Sequence, residues 1–183
     1  MAQQPPSDTA LRVSELSQSD NNTFSLRPDA ERLKEIAAEL DLLGLRKLSF
    51  QGSIRPLGGT DWTLHATLGA TVIQACVVTL EPVTTRIDTD ITRQFVSDWS
   101  DPDDPEVEMP EDDTVEPLGT WIDPAFVMLE ALALALPDYP RKDDAELGQL
   151  VYTKPGEKPM TDEDARPFAG LAALKNNLDP DKD

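Results

Sequence analysis

The sequence DWTLHATLGATVIQACV, residues 61–77, decides the fold of this protein. Apolar residues occupy every second position over most of its length, and threonines and a histidine stand between them. Because side chains alternate between the two faces of a strand, this pattern predicts a long β-strand with one buried and one wet face. The predicted buried set is Trp62, Leu64, Ala66, Leu68, Ala70, Val72 and Cys76.

Two further alternating stretches flank this strand. Residues 45–55 alternate in the same way, and PLGGT at 56–60 predicts a tight hairpin, because adjacent glycines readily adopt a positive φ. A third stretch at 83–96 places Val83, Ile87, Ile91 and Phe95 on one face. Three long, β-branched strands in succession predict an antiparallel meander, as a curved sheet or partial barrel.

A first helix is predicted before the meander. Residues 27–44, RPDAERLKEIAAELDLLG, repeat apolar side chains at three- and four-residue steps, with Pro28 in the first turn and Gly44 past the end. Upstream of it, LRVSEL at 11–16 is a short candidate strand that leads into a polar turn at 20–22.

A second helix follows the meander. Asp123 suits its N-cap, Pro124 its first position, and Pro137 ends it. Glu130 is its one charged residue, so the helix is apolar nearly all round. Either it is a core helix covered on several sides, or one side is free as a docking surface.

The domain organisation is interpreted as one α+β domain at 11–137, with the two helices packed on the sheet. Residues 1–10 are expected to be disordered. Residues 97–117 hold ten acidic residues, four prolines and no basic residue, which predicts a flexible acidic loop. Residues 138–183 are expected to form a mostly extended tail with a short helix near 167–175.

The charge is concentrated in one region. The whole chain carries a net charge of −19, of which residues 97–147 contribute −14. Such acidity disfavours contact with phosphate backbones and suits a basic protein partner. DNA is therefore not an expected partner, and RNA contact would need a local basic patch on the strand faces. The candidates for that patch are Arg46, Lys47, Arg55, Arg86 and Arg93.

Motifs for catalysis, cofactors and metals are missing from the sequence. It has neither a glycine-rich phosphate loop nor a nucleophile elbow, and only one cysteine and one histidine. Cys76 and His65 fall on opposite faces of one strand, which argues against a nucleophilic pair. We therefore expect no enzyme and no cofactor, and a Cys76 thiol that is buried, poorly ionised and inert.

The location is expected to be cytoplasmic. The first residues lack the basic and apolar regions of a signal peptide, and no apolar run approaches the length of about 20 residues that a membrane span requires. A single cysteine is consistent with a reducing compartment.

Three blocks in order resemble the YceD family, the large ribosomal RNA subunit accumulation proteins. They are QACVVTLEPV at 74–83, GTWIDPAFVMLEALALALPDYP at 119–140 and RPFAGLAALK at 166–175. The signature positions in this chain are Cys76, Thr79, Leu80, Glu81, Pro82, Asp123, Glu130 and Pro137. Many relatives have a second cysteine where Thr79 stands and more cysteines after the equivalent of Pro140, so a thiolate metal site is not expected here.

The resemblance implies a role in the synthesis, processing or stability of large-subunit ribosomal RNA. The leading interpretation is a non-enzymatic bacterial ribosome-biogenesis factor that binds a basic ribosomal protein or assembly factor and contacts rRNA indirectly or weakly. The alternative is a general peptide- or protein-binding module that uses the apolar helix 124–136 and a sheet edge.

Overall fold

The computed structural model describes residues 4–98, 114–143 and 145, which form an open sheet with helices on one face. The elements are β1 (Leu11–Arg12), β2 (Asn22–Leu26), α1 (Ala30–Glu39), β3 (Gly44–Leu57), β4 (Asp61–Ala75), β5 (Pro82–Val96), β6 (Val115–Pro117), β7 (Trp121–Ile122) and α2 (Pro124–Ala135). A short 3₁₀ turn at Val13–Glu15 follows β1.

Among the described residues, the main sheet has the order β2-β3-β4-β5-β6. Its first four strands are antiparallel, and β6 runs parallel to β5. A separate antiparallel pair joins β1 to β7 through Leu11 and Ile122. The predicted α+β class is therefore confirmed, with a sheet that does not close into a barrel.

The central strand β4 has the predicted faces. Its even-numbered positions from Trp62 to Val72 are all buried. Across the sheet, Leu64 faces Ile54 and Leu68 faces Phe50, which places the same face of β3 in the core. The hairpin between β3 and β4 closes at Leu57 and Asp61, with Gly58 at φ 71°.

The alternation in β3 is interrupted where the sequence predicted it to be continuous. The register with β4 shifts between Arg46 and Ser49, and Lys47 has φ 51°. This bulge places both Leu45 and Leu48, three residues apart, in the core. A bulge adds one residue to one strand of a pair, so the side chains beyond it change face.

Helix α1 is shorter than predicted. Asp29 caps it by accepting a hydrogen bond from the Arg32 amide at 2.9 Å, so Pro28 lies before the helix and not in its first turn. At the other end, Asp41 turns the chain with φ 52°, and Gly44 already belongs to β3. Leu40 and Leu43 continue the helical spacing of apolar residues in the sequence, so the predicted helix runs past the point where the backbone turns into the sheet.

Three short strands differ from the sequence-based prediction. The polar turn expected at 20–22 leads directly into β2, which pairs with β3. LRVSEL forms only two strand residues before the 3₁₀ turn. The predicted end of the acidic loop at residue 117 is wrong, because Val115–Pro117 forms β6. This strand pairs with Gln94–Val96 of β5.

The rest of the acidic loop, residues 99–113, lies outside the described residues. So does nearly all of the predicted tail beyond Asp143, including the short helix near 167–175.

Both helices pack on the buried face of the sheet. Ile36 and Ala37 of α1, and Val127 and Leu132 of α2, join the core formed by the strands. The opposite face presents threonines and His65, and none of the described elements covers it.

We expect Gly52→Ala to destabilise the protein strongly. A Cβ at this position would lie 2.1 Å from the His65 carbonyl oxygen and 2.6 Å from the Ala66 Cα, both on β4. Backbone atoms in the middle of a sheet cannot move aside cheaply, so the loss should reach or exceed about 3 kcal/mol. Urea unfolding followed by circular dichroism measures it.

Gly59→Ala is the matched control, because no atom lies within 4 Å of a Cβ built there. Equal losses for the two variants would show that the close approach of β3 and β4 does not constrain Gly52.

Candidate functional site

The turn between β4 and β5 carries the first group of signature residues. It is closed by two backbone bonds: the Cys76 N–H donates to Glu81 O at 2.8 Å and the Leu80 N–H donates to Cys76 O at 2.9 Å. Leu80 has φ 60° and its side chain is exposed. Pro82 then opens β5 opposite Ala75.

The thiol of Cys76 is fully buried, at 0% exposure, as expected for a core residue. Its surroundings, however, favour the thiolate more than the sequence predicted. Hydrogen bonds from Thr79, foremost from its side chain, and from the Lys142 backbone lower the pKa of Cys76 to about 6. The Thr79 N–H lies 3.5 Å from Sγ. Donors that stabilise the thiolate outweigh the desolvation that opposes ionisation.

The segment after α2 returns to this turn, which brings two signature blocks together. Pro140 O accepts the Val77 N–H at 3.0 Å, and Pro137 O accepts Nε2 of Gln74 at 3.2 Å. Lys142 forms an ion pair with Glu81 at 2.7 Å. The turn and the residues from Pro137 to Lys142 therefore form one structural unit, although they are about sixty residues apart in the sequence.

Within the described part of the chain, no group of three His, Cys, Asp or Glu side chains could hold a metal ion. His65 lies on the exposed sheet face, where Nδ1 is 3.2 Å from the Thr92 hydroxyl and Nε2 is 3.4 Å from that of Thr63.

The signature residue Asp123 has a capping role. Its carboxylate accepts the Ala125 N–H at 3.0 Å and the Thr9 hydroxyl at 3.2 Å. It therefore fixes the first turn of α2 and ties the N-terminal segment to it.

Glu130, the remaining signature carboxylate, belongs to an ionic network with Arg93. The Arg93 guanidinium lies 3.1 Å from Glu130 on α2 and 3.1 Å from Glu116 on β6. Its side chain is only 10% exposed. Burial, followed by the nearby charge of Glu130, raises the pKa of Glu116, while Arg93 opposes that rise. One cation thus joins three elements of the fold.

The predicted basic patch does not form as one surface. Arg93 is on the core face and is committed to its two carboxylates, so its inclusion was wrong. On the opposite face, Arg46 and Arg86 both lie beside Thr71, and Arg55 is opposite Thr63 farther along the sheet. Arg86 is already bonded to Asp88. Lys47 sits in the bulge.

Helix α2 buries one side and exposes the other. Val127, Met128, Ala131 and Leu132 are buried against the sheet. On the other side, Phe126 is 64% and Leu134 is 74% exposed, and Tyr139 beyond the helix is 78% exposed. We call these three residues the apolar strip. Of the two interpretations left open by the sequence, the one with an uncovered side fits the described residues, none of which covers this strip.

The family model described as large ribosomal RNA subunit accumulation protein YceD matches residues 64–175 of the chain. Neither the curated proteins nor the solved structures give a match. None of the helices in the described ranges is both long and apolar enough to cross a membrane.

We expect Arg93→Met to lower the free energy of unfolding by about 2–3 kcal/mol, because it leaves two partly buried carboxylates without a cation. The value is below that of a fully buried pair, since Glu116 and Glu130 keep some contact with water. Urea unfolding at neutral pH measures it, and Glu130→Gln added to Arg93→Met should recover part of the loss.

Arg86→Met is the control, because Arg86 pairs with Asp88 where both side chains are exposed to solvent. We expect this substitution to lower the free energy of unfolding by less than about 1 kcal/mol. Similar losses for the two arginine variants would contradict a special role for the Arg93 network.

We expect iodoacetamide to modify Cys76 at least about tenfold more slowly in native than in urea-denatured protein, despite the lowered pKa of the thiol, because reaction requires access as well as ionisation. Mass spectrometry of timed samples gives both rates. Equal rates would mean that the turn opens readily and that the thiol is not part of the core.

Proposed function

Because this chain belongs to the YceD family of large ribosomal RNA subunit accumulation proteins, we propose that it supports the synthesis, processing or stability of that RNA as a non-enzymatic ribosome-biogenesis factor. The match to the family model over more than half of the chain is the observation that carries this proposal. The proposed setting is the bacterial cytoplasm.

The roles of the signature residues support a function without catalysis. Cys76, Thr79 and Glu81 close a turn and anchor the segment after α2. Asp123 caps α2, and Glu130 holds Arg93. Each of these side chains has a partner within the fold. A structural role for these residues is therefore enough to explain the resemblance to the family signature.

We propose that the chain acts through contacts with a basic ribosomal protein or assembly factor. The apolar strip on and after α2 supports this, because large apolar side chains left exposed on one part of the surface favour protein contact. The net charge of −19 supports a basic partner and opposes a phosphate backbone.

We propose that the acidic segment at residues 97–117 assists this contact. At its start, Ser97 donates its N–H and hydroxyl to the Asp61 carboxylate, both at 2.9 Å. At its end, Thr114 O accepts the Gln94 N–H at 2.8 Å. The described residues on either side of this stretch, which has ten acidic residues over 97–117, therefore lie at one end of the sheet. Contact with rRNA would then be indirect or weak, through the exposed Arg46, Lys47 and Arg55.

A general peptide- or protein-binding module is the second candidate. The observation that favours it is the apolar strip, which has no feature that singles out a ribosomal partner. In a sucrose gradient, sedimentation with large-subunit precursors supports the assembly factor, whereas slow sedimentation alone supports the general module.

We expect deletion of the gene to lower the amount of large-subunit rRNA relative to small-subunit rRNA, and a plasmid copy to restore it. Quantitative hybridisation of total RNA measures the ratio. A ratio unchanged by deletion would refute the proposed function.

The protein-contact mechanism is tested separately by binding naked rRNA at graded salt. We expect weak binding. Tight binding with a steep salt dependence, retained when the acidic residues of 98–113 are replaced by serine, would refute it.

A further inference from the structure

The edge of β5 that faces away from β4 is paired over only part of its length. Towards β4, β5 is paired from Pro82 to Phe95, but its pairing with β6 covers only Gln94–Val96. No described strand pairs with the earlier part of this edge. Gln94 donates its N–H towards β6, and backbone groups alternate in direction along a strand. Asp90 and Thr92 therefore direct their N–H and C=O groups to the unpaired side, where another strand could pair.

Helix α2 forms a wall beside this edge. A groove of about 530 Å³ runs between Thr89–Arg93 of β5 and the α2 residues Ala131, Leu134 and Ala135. The wall is apolar, and Leu134, from the apolar strip, is 74% exposed. Ile91 is half-buried and lines the groove from the sheet.

The other side of the same edge is acidic. Asp88 and Asp90 alternate with Ile87 and Ile91, so their carboxylates lie on the face opposite α2. Arg86 forms an ion pair with the carboxylate of Asp88. The carboxylate of Asp90 accepts one hydrogen bond, from the Thr67 hydroxyl at 2.9 Å. A carboxylate has room for more donors, so Asp90 can still receive a cationic side chain.

We propose that this edge binds an extended segment of a partner protein in which apolar and basic residues alternate. The segment adds to the sheet as a strand next to Asp90 and Thr92. Its apolar side chains enter the groove beside Leu134 and Ile91, and its basic side chains lie beside Asp90 on the other face. The inference deepens the proposed function and rests on it for the basic partner, since it specifies the form in which that partner is recognised.

The acidic charge beside the β5 edge favours a basic segment over other strands that could pair there. The groove and edge alone would accept any apolar strand, but an acidic chain with carboxylates along the outer side of the edge favours a basic one. A second copy of this chain would bring an equal net charge of −19 to the same edge.

The test uses the full chain and a fluorescein-labelled nine-residue peptide of alternating lysine and valine, with binding followed by anisotropy. We expect Leu134→Lys to weaken binding about tenfold, because it places a like charge in the groove. Leu43→Lys is the matched control: Leu43 is also an exposed leucine, at 60%, but lies between α1 and β3, and binding should not change.

Three further peptides separate strand addition from simple charge attraction. Two N-methylated peptides are made, one methylated at the odd-numbered and one at the even-numbered residues, and both keep the charge of the parent. Only every second residue of an added strand donates its N–H to β5, so we expect one of the two peptides not to bind. A peptide of alternating glutamate and valine should not bind. Thermal melts confirm that both leucine variants are folded.

The proposal is overturned if the lysine–valine peptide does not bind, or binds Leu134→Lys and wild type equally. It is also overturned if both N-methylated peptides bind as well as the parent, since the contact would then be electrostatic only. Sedimentation showing a wild-type dimer that Leu134→Lys dissociates would identify a second copy as the occupant and overturn it too.

Complementation distinguishes this failure from failure of the proposed function. We expect Leu134→Lys, unlike Leu43→Lys, not to restore large-subunit rRNA in the deletion strain. Full restoration by Leu134→Lys would reject the groove while leaving the family function intact, whereas an unaltered rRNA ratio in the deletion strain itself would reject the function.

Discussion

The pairing of β4 with a strand on each side is the constraint on which the rest of this structure depends. It is continuous with β5 from Trp62 to Ala75, and with β3 it shifts only at the bulge beside Lys47. A slip of one residue would move every core side chain of β4 to the wet face, so the apolar alternation and the register enforce each other. Gly52 shows how tight the arrangement is, because β3 passes Ala66 with no room for a side chain.

Ion pairs and hydrogen bonds join helix α2, and the chain beyond it, to the sheet. Arg93 emerges from the core face of β5 and reaches α2 and β6 at once. Near the other end of β5, Lys142 and the Pro140 carbonyl hold the chain beyond α2 to the Cys76 turn. Helix α2 is thus held at both ends of one long strand. On its other side, Phe126 and Leu134 remain exposed, and they lie on the surface for which we propose contact with a partner.

The sequence was most informative where one local rule acted alone. The parity of Trp62 to Val72 and the Asp123–Pro124 start of α2 could be read directly, since each depends on neighbours in the chain. The bulge at Lys47 and the strand status of Val115–Pro117 could not, because each depends on a partner strand distant in sequence. In the candidate site, Cys76 was correctly predicted to be buried, but its lowered pKa comes mainly from hydrogen bonds of Thr79, three residues further on, and in smaller part from the Lys142 backbone, which no local pattern connects to it. Arg93 shares the parity of Ile91 and Phe95, so the alternation alone places it on the buried face, but only the tertiary structure supplies the two carboxylates that pair with it there.

The parallel alignment of β6 with β5 has an evolutionary consequence. Gln94 is opposite Val115 and Val96 is opposite Pro117, so the chain leaves and re-enters the sheet at neighbouring points. The length of residues 98–114 is therefore not fixed by a distance that they must span. Doubling the length of a loop adds only about 0.6 kcal/mol of loop-closure entropy, which is small beside the stability of a domain. Mutation can lengthen, shorten or recharge this stretch while the sheet stays as it is, which allows related proteins to diverge in it faster than in the strands on either side.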